Sequence, residues 1–264
     1  MKIYIVADME GIGGVFLPEQ LKRGAPEYAE ARLLLTGEVN AAIEGAFDGG
    51  ATEVVVKDAH GSGFNIVLED LDERAEIVAG GSVPKRLGGL DETFNGVFLL
   101  GYHAMAGTQA AICDHTMSSV SWTRYELCGE EVGETAIDAA WAGAHGVPVT
   151  LVTGDDKVCA EASALLGPDL VTCQTKVGLA RHSVLGRSPK ACRKLIREAA
   201  RQAVSQAARP APFCPAAPYE VHVTYVLTSG ADYRHYDERT IREDARTVRY
   251  QGDDLLDVIE RSLR

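Results

Sequence analysis

Residues 2–10 read KIYIVADME, an apolar run that ends in two carboxylates, Asp8 and Glu10. The pattern returns at 53–60, EVVVKDAH, where Asp58 and His60 close the run, and at 96–103, GVFLLGYH, which closes on His103. Short runs rich in Val, Ile, Leu and aromatics read as buried strands. If the three lie parallel in one sheet, their carboxyl ends open on the same side, and residues far apart in sequence meet in one crevice. Carboxylates and imidazoles gathered there suggest a metal site.

The segments between these runs support an α/β class with a mainly parallel sheet flanked by helices. From about Glu27 to Phe47, Ala31, Leu34, Leu35, Val39, Ala42, Ile43 and Ala46 fall at helical spacing, and Gly49-Gly50 supply a stop before the strand at 53. Strand, helix and strand in that order form a βαβ unit with a right-handed crossover. A second helix is expected at Thr135–Ala144, with a strand at Pro148–Thr153 and a helix capped by Asp155 over Lys157–Leu166. Between Leu68 and Leu90 the pattern weakens to a short strand at Ala75–Val78 and a Gly-rich connection from Gly80 to Gly89. Ser188-Pro189 opens a basic amphipathic helix reaching about Ala208, whose cations read as a solvated face. A proline-rich break, strands at Tyr219–Leu227 and Thr247–Tyr250, and a helix at Asp253–Leu263 follow. The expected organisation is a metal-binding α/β domain over 1–170 and a smaller α+β lobe over 171–264, closely packed on it.

Composition bounds the function. With 38 acidic against 26 basic residues and a net charge of −12, the chain is a poor partner for nucleic acid or an anionic membrane. The N-terminal run is too short and too acidic for a signal peptide, and no apolar run spans a bilayer, so a cytoplasmic location is expected. The six cysteines form no CxxC pair, which argues against a zinc knuckle or a thioredoxin-type motif. The turn GIGG at 11–14 lacks the dinucleotide fingerprint, and the two carboxylates before it would repel a pyrophosphate.

Two divalent ions in one centre call for about five side chains, usually with a bridging carboxylate. The candidates are Asp8, Glu10, Asp58, His60, His103 and His115, plus one or more of Glu130, Glu131 and Glu134, among which spacing does not choose. On a continuing strand, Asp8 and Glu10 share a face, as do Asp58 and His60. Asp58 has two readings, a turn cap or a residue that positions the ligands from behind. Asp155 and Asp156 read as helix-capping acids and His145 as a helix C-terminal histidine; His182, His222 and His235 have no acidic partner at a strand end.

Five segments in order, VADMEGIGG, VKDAHGS, LLGYHAMAG, DHTMS and VGETAIDA, resemble those of the D-aminopeptidases of peptidase family M55, the dipeptide-transport-associated group; TKVGLARHSVLGRSP at 175–189 is a further family-like segment. The resemblance implies a cofactor of two zinc ions per subunit, Asp8 bridging them, Glu10 and His60 completing one, and His103 and Glu134 the other. It selects Glu134, in the VGE motif, over Glu130 and Glu131. It gives His115 the catalytic role of nucleophile or acid–base residue, and it implies a homo-oligomeric ring, a decamer of two pentamers, acting on short peptides. Residues 121–131 match no family pattern, and His182 replaces a more usual small residue.

The expected activity is removal of N-terminal, D-configured amino acids from short peptides by a zinc-activated water. A two-metal hydrolase of another amide or of a phosphoester is the first alternative, weakened because Lys57 and the more distant Arg124 are the only cations near the motifs. A non-catalytic peptide-binding or assembly protein with a structural metal is the second.

Overall fold

The computed structural model describes residues 1–81 and 85–264. Its elements run β1 (Lys2–Ala7), α1 (Pro18–Leu21), α2 (Pro26–Asp48), β2 (Glu53–Asp58), β3 (Ala75–Val78), β4 (Gly96–Tyr102), β5 (Trp122–Leu127), β6 (Glu130–Glu131), α3 (Glu134–Ala144), β7 (Val149–Asp155), α4 (Asp156–Leu166), β8 (Val171–Ala180), β9 (Ser183–Gly186), α5 (Pro189–Ser205), β10 (Tyr219–Tyr225), α6 (Ser229–Asp232), β11 (Thr240–Arg242), β12 (Thr247–Gly252) and α7 (Leu255–Leu263). The expected short strand at 75–78 is β3. Part of the Gly-rich connection that follows it, at 82–84, lies outside the described residues.

Seven strands form the main sheet in the order β3-β2-β1-β4-β7-β8-β9, parallel except for β9, which turns back on β8. The chain builds this sheet outward in one direction from β1 to β3 and then crosses to the other side at β4. The strand order therefore reverses between β1 and β4, the position where open α/β sheets leave a crevice for ligands. Alternation along β1 sends Ile3, Ile5 and Ala7 into a core with α2 and α5, and Tyr4 and Val6 into a core with α3, α7 and the second sheet.

The second sheet is antiparallel, β11-β12-β10-β5-β6, and its Val221, Val223, Val248 and Tyr250 share the second of those cores with Tyr4 and Val6. The division between sheets differs from the expected one at residue 170. β8 and β9 extend the main sheet, because β8 covers the edge that β7 would otherwise expose, pairing Leu151 with Val171. β5 and β6, well before residue 170, join the C-terminal strands through pairs such as Val223 with Tyr125.

Candidate metal centre

Asp8 follows β1 directly, His60 lies two residues beyond β2, His103 follows β4 directly, and Glu134 opens α3. All converge at the crevice where the strand order reverses. Two glycines let the ends of β1 and β4 approach. A Cβ on Gly11 would sit 2.1 Å from the Tyr102 carbonyl oxygen, and one on Gly101, at φ +72°, would sit 2.3 Å from that of Asp8. The Gly11 N–H donates to the Gly101 carbonyl at 2.7 Å, locking the approach. The GIGG turn presents carbonyls to a cation: the buried Lys176 ammonium donates to the Glu10, Ile12 and Val15 oxygens at 2.5, 2.9 and 2.5 Å. A phosphate cradle requires amides facing the ligand, so this turn is a scaffold for the carboxylates before it.

His60 Nδ1 lies 3.1 Å from Asp8 Oδ1 and 3.2 Å from Glu10 Oε2. His103 Nε2 lies 3.6 Å from Asp8 Oδ2 and 3.2 Å from Glu134 Oε1. His115 stacks on His103 with 3.9 Å between ring centroids and an 11° interplanar angle, and its Nε2 is 3.6 Å from Glu134 Oε1. Each imidazole has its other nitrogen against a backbone carbonyl: His60 Nε2 at 3.3 Å from Leu21, His103 Nδ1 at 3.1 Å from Ala104, and His115 Nδ1 at 2.8 Å from Cys113. Such a bond fixes the tautomer and aims the second nitrogen's lone pair, the arrangement that metal-ligating histidines adopt.

The donors fit divalent metal. Asp8, Glu10 and His103 offer three ligand atoms within 4.8 Å of one another, as do His103, His115 and Glu134. Glu10 Oε2 and His103 Nε2 are buried without a well-formed hydrogen bond among the described residues, although each stands 3.2 Å from an ion-pair partner, His60 and Glu134. Buried polar atoms left in this way point to a missing partner. Burial opposes charge on His60, yet Glu10 and Asp8 hold its pKa well above the imidazole range. Burial likewise opposes charge on His103, but Glu134 lifts it to about 10. Burial raises Asp8, reinforced by the charge of Glu10. Glu10 is held low by His60, and Glu134 by His103, in both cases against burial.

Other residues hold the centre in place. Asp58 does not reach the cluster. Its oxygens accept from the Asn65 N–H, the Asn65 side chain and the Ile66 N–H at 2.5, 2.6 and 2.9 Å, and the Asn65 side chain also donates to the His60 carbonyl at 2.6 Å. Arg86, which the sequence reading passed over, clasps Asp138 with two bonds at 2.8 and 2.9 Å and donates to Glu134 Oε2 at 3.2 Å. The Met117 N–H donates to Glu134 Oε1 at 2.9 Å. Asp155 caps α4, as expected, and accepts from the Ile112 N–H at 2.8 Å. His182, set aside in the sequence, stands 3.7 Å from the Cys113 sulfur, on the loop that carries His115. His222 pairs with Glu220 and Glu243 on the second sheet, and Glu130 and Glu131 are exposed on β6.

The D-aminopeptidase family, peptidase M55, matches residues 1–262. The chain belongs to that family. A D-aminopeptidase of Bacillus subtilis (strain 168) is 31% identical over 265 residues, covering 100% of this chain and 96% of that one. The solved structure of the Zn-dependent D-aminopeptidase DppA from Bacillus subtilis, described as a self-compartmentalizing protease, superposes with a TM-score of 0.94 at 31% identity, over 100% of this chain and 96% of that one. Membership of peptidase M55 makes this chain a hydrolase, and its α/β fold is that of the family's solved structure. No helix among the described residues is long and apolar enough to cross a membrane.

Proposed function

We propose that the chain is a zinc-dependent aminopeptidase that removes N-terminal D-amino acids from short peptides. The observation that carries this reading is the convergence of three carbonyl-anchored imidazoles on the buried carboxylates of Asp8, Glu10 and Glu134. In this assignment Asp8, Glu10, His60, His103 and Glu134 would hold two ions, Asp8 serving both, Glu10 and His60 one, and His103 and Glu134 the other. Zinc held there would supply an activated water and polarise the scissile carbonyl. His115, its Nδ1 held by the Cys113 carbonyl, is free at Nε2 to carry a proton to the leaving amine. Arg86 and the Met117 N–H hold Glu134, and Asp58 holds the loop that presents His60.

The relative's description as self-compartmentalizing supports an assembly of copies, for which the family resemblance implies a ring of two pentamers, and Leu179, Leu185, Leu227 and Tyr233 are exposed apolar side chains available to it. Light scattering should then give many times the 28.3 kDa of one chain; a monomer contradicts the ring.

The test of activity is hydrolysis of D- and L-alanyl para-nitroanilide by the purified protein, before and after chelation and zinc restoration. Chelator-sensitive, zinc-restored cleavage of the D form is expected. Preference for the L form would keep the mechanism and reject the stereochemistry; no cleavage of these anilides or of D- and L-alanyl-alanine by the zinc-loaded protein would reject the aminopeptidase.

A further inference from the structure

Beside the metal centre lies a second cavity of about 530 Å³ whose chemistry the cluster does not use. It shares Ala59, Gly61, Arg86, Met117 and Ser118 with the cavity over the metal centre, so the two spaces adjoin across these residues. Gly63 and Gly80 cross so closely that a Cβ on Gly63 would sit 2.8 Å from the Gly80 backbone, and this glycine wall leaves the space unfilled by side chains. Lys57, Lys85, Arg86, Arg234 and Arg264 line it. The acidic groups in its wall are engaged, Asp58 by Asn65 and Ile66 and Glu260 by the Arg86 N–H at 2.6 Å and by Arg264 at 3.7 Å, and Arg234 donates to the Arg264 main-chain oxygen.

Lys57 is the telling residue. It lies in β2 on the face of Val55, away from Asp58, and only 7% of it is exposed. Among the described residues its ammonium makes no hydrogen bond or ion pair, whereas Lys176, the other buried lysine, has three carbonyl acceptors. Its stem is covered in the strand beside Val54, Val55 and Val56, while its ammonium is not cut off from solvent and opens on the cavity. Its charged neighbours are Arg86, Asp138 and Asp58. Asp138 is already clasped by Arg86 and accepts from the Tyr102 hydroxyl, and Asp58 is occupied as above.

We infer that this cavity is the subsite for the leaving part of the substrate, and that Lys57 receives the free C-terminal carboxylate of a dipeptide or tripeptide whose amino end lies at the metal centre. The inference rests on the aminopeptidase reading and deepens it. A peptide advances roughly 3.5 Å per residue when extended, so the carboxylate one or two residues past the scissile bond falls within an adjoining space of this size. A carboxylate beside a partly buried ammonium with no protein partner gains a charge-assisted bond that the corresponding amide lacks. The chain would thereby select short substrates by reading both of their ends.

The experiment compares kcat/KM of the zinc-loaded protein on alanyl-alanine, in the stereochemistry it accepts, and on the same dipeptide as its C-terminal carboxamide. The free acid should be favoured by about 10-fold or more, mainly through KM. Lys57→Met should bring the ratio close to one, and Lys57→Arg should retain a preference for the acid. A wild-type ratio near one overturns the inference, as does a ratio that survives in Lys57→Met. If Lys57→Met proves unfolded by circular dichroism, Lys57→Gln is read in the same way, and the wild-type ratio still decides. Alanyl para-nitroanilide, which has no carboxylate, separates the two levels of the argument. Cleavage of it without preference for the free acid rejects the subsite alone; failure to cleave the anilide, the dipeptide acid and the carboxamide rejects the aminopeptidase and the subsite together.

Discussion

His115 occupies a position from which two roles are open. Stacked on His103 and 3.6 Å from Glu134, its Nε2 could ligate metal or carry a proton. We assign it the proton. His115→Ala should therefore keep the zinc content of the wild type and lose about 10²–10⁴-fold in kcat, the usual contribution of a positioned acid–base group. Zinc loss in step with activity would make His115 a ligand instead. The residues of the centre were legible in sequence because each sits at the end of an apolar run or, for Glu134 and His115, in a segment with family character. Arg86 was not, since it lies in the weakly patterned connection after β3, and nothing local announces that a guanidinium there will meet Asp138 and Glu134 from α3. Lys57 was legible as a cation near the motifs, but its lack of a partner is a tertiary fact.

The element that holds the first two carboxylates is the turn after β1, fastened from behind by Lys176 on β8 and Glu38 on α2. Glu38 accepts from the Gly13 N–H at 2.9 Å, and its second oxygen is buried without a partner among the described residues. Burial pushes its carboxyl up to about 7 from an ordinary 4.5, against the pull of the Gly13 N–H and the charges of Lys176 and Arg193. The folded protein thus holds this proton more tightly than the unfolded chain. Its contribution to stability is complete below about pH 4.5 and is lost as the pH rises through about 7. At about 1.4 kcal/mol per pKa unit, Glu38→Gln should gain roughly 3 kcal/mol on the wild type between pH 4 and pH 8, read by urea denaturation. Parallel pH profiles for the two proteins would contradict this. Elements with strong local signals, β1, α2, β2, β4 and α4, were readable in sequence. The antiparallel sheet was not assembled from it, because β5 finds β10 about a hundred residues away, and a long-range pairing such as Tyr125 with Val223 leaves no local period.

At the scale of the whole molecule, the centre exists only when β1, β2, β4 and α3 are all in place, because no two of Asp8, His60, His103 and Glu134 share an element. The sheet's change of direction between β1 and β4 brings them together, and the shared core of the two sheets places α3 against that opening. Asp8 stands between the two halves, 3.1 Å from His60 and 3.6 Å from His103. A shared ligand couples two ions, whereas a ligand of one ion leaves the other in place. The most direct measurement of the two-ion claim is elemental quantification of zinc per chain in the wild type and in Asp8→Ala after equal dialysis. Two ions in the wild type and almost none in the variant are predicted; one ion in the wild type, or full occupancy without Asp8, would contradict the shared centre.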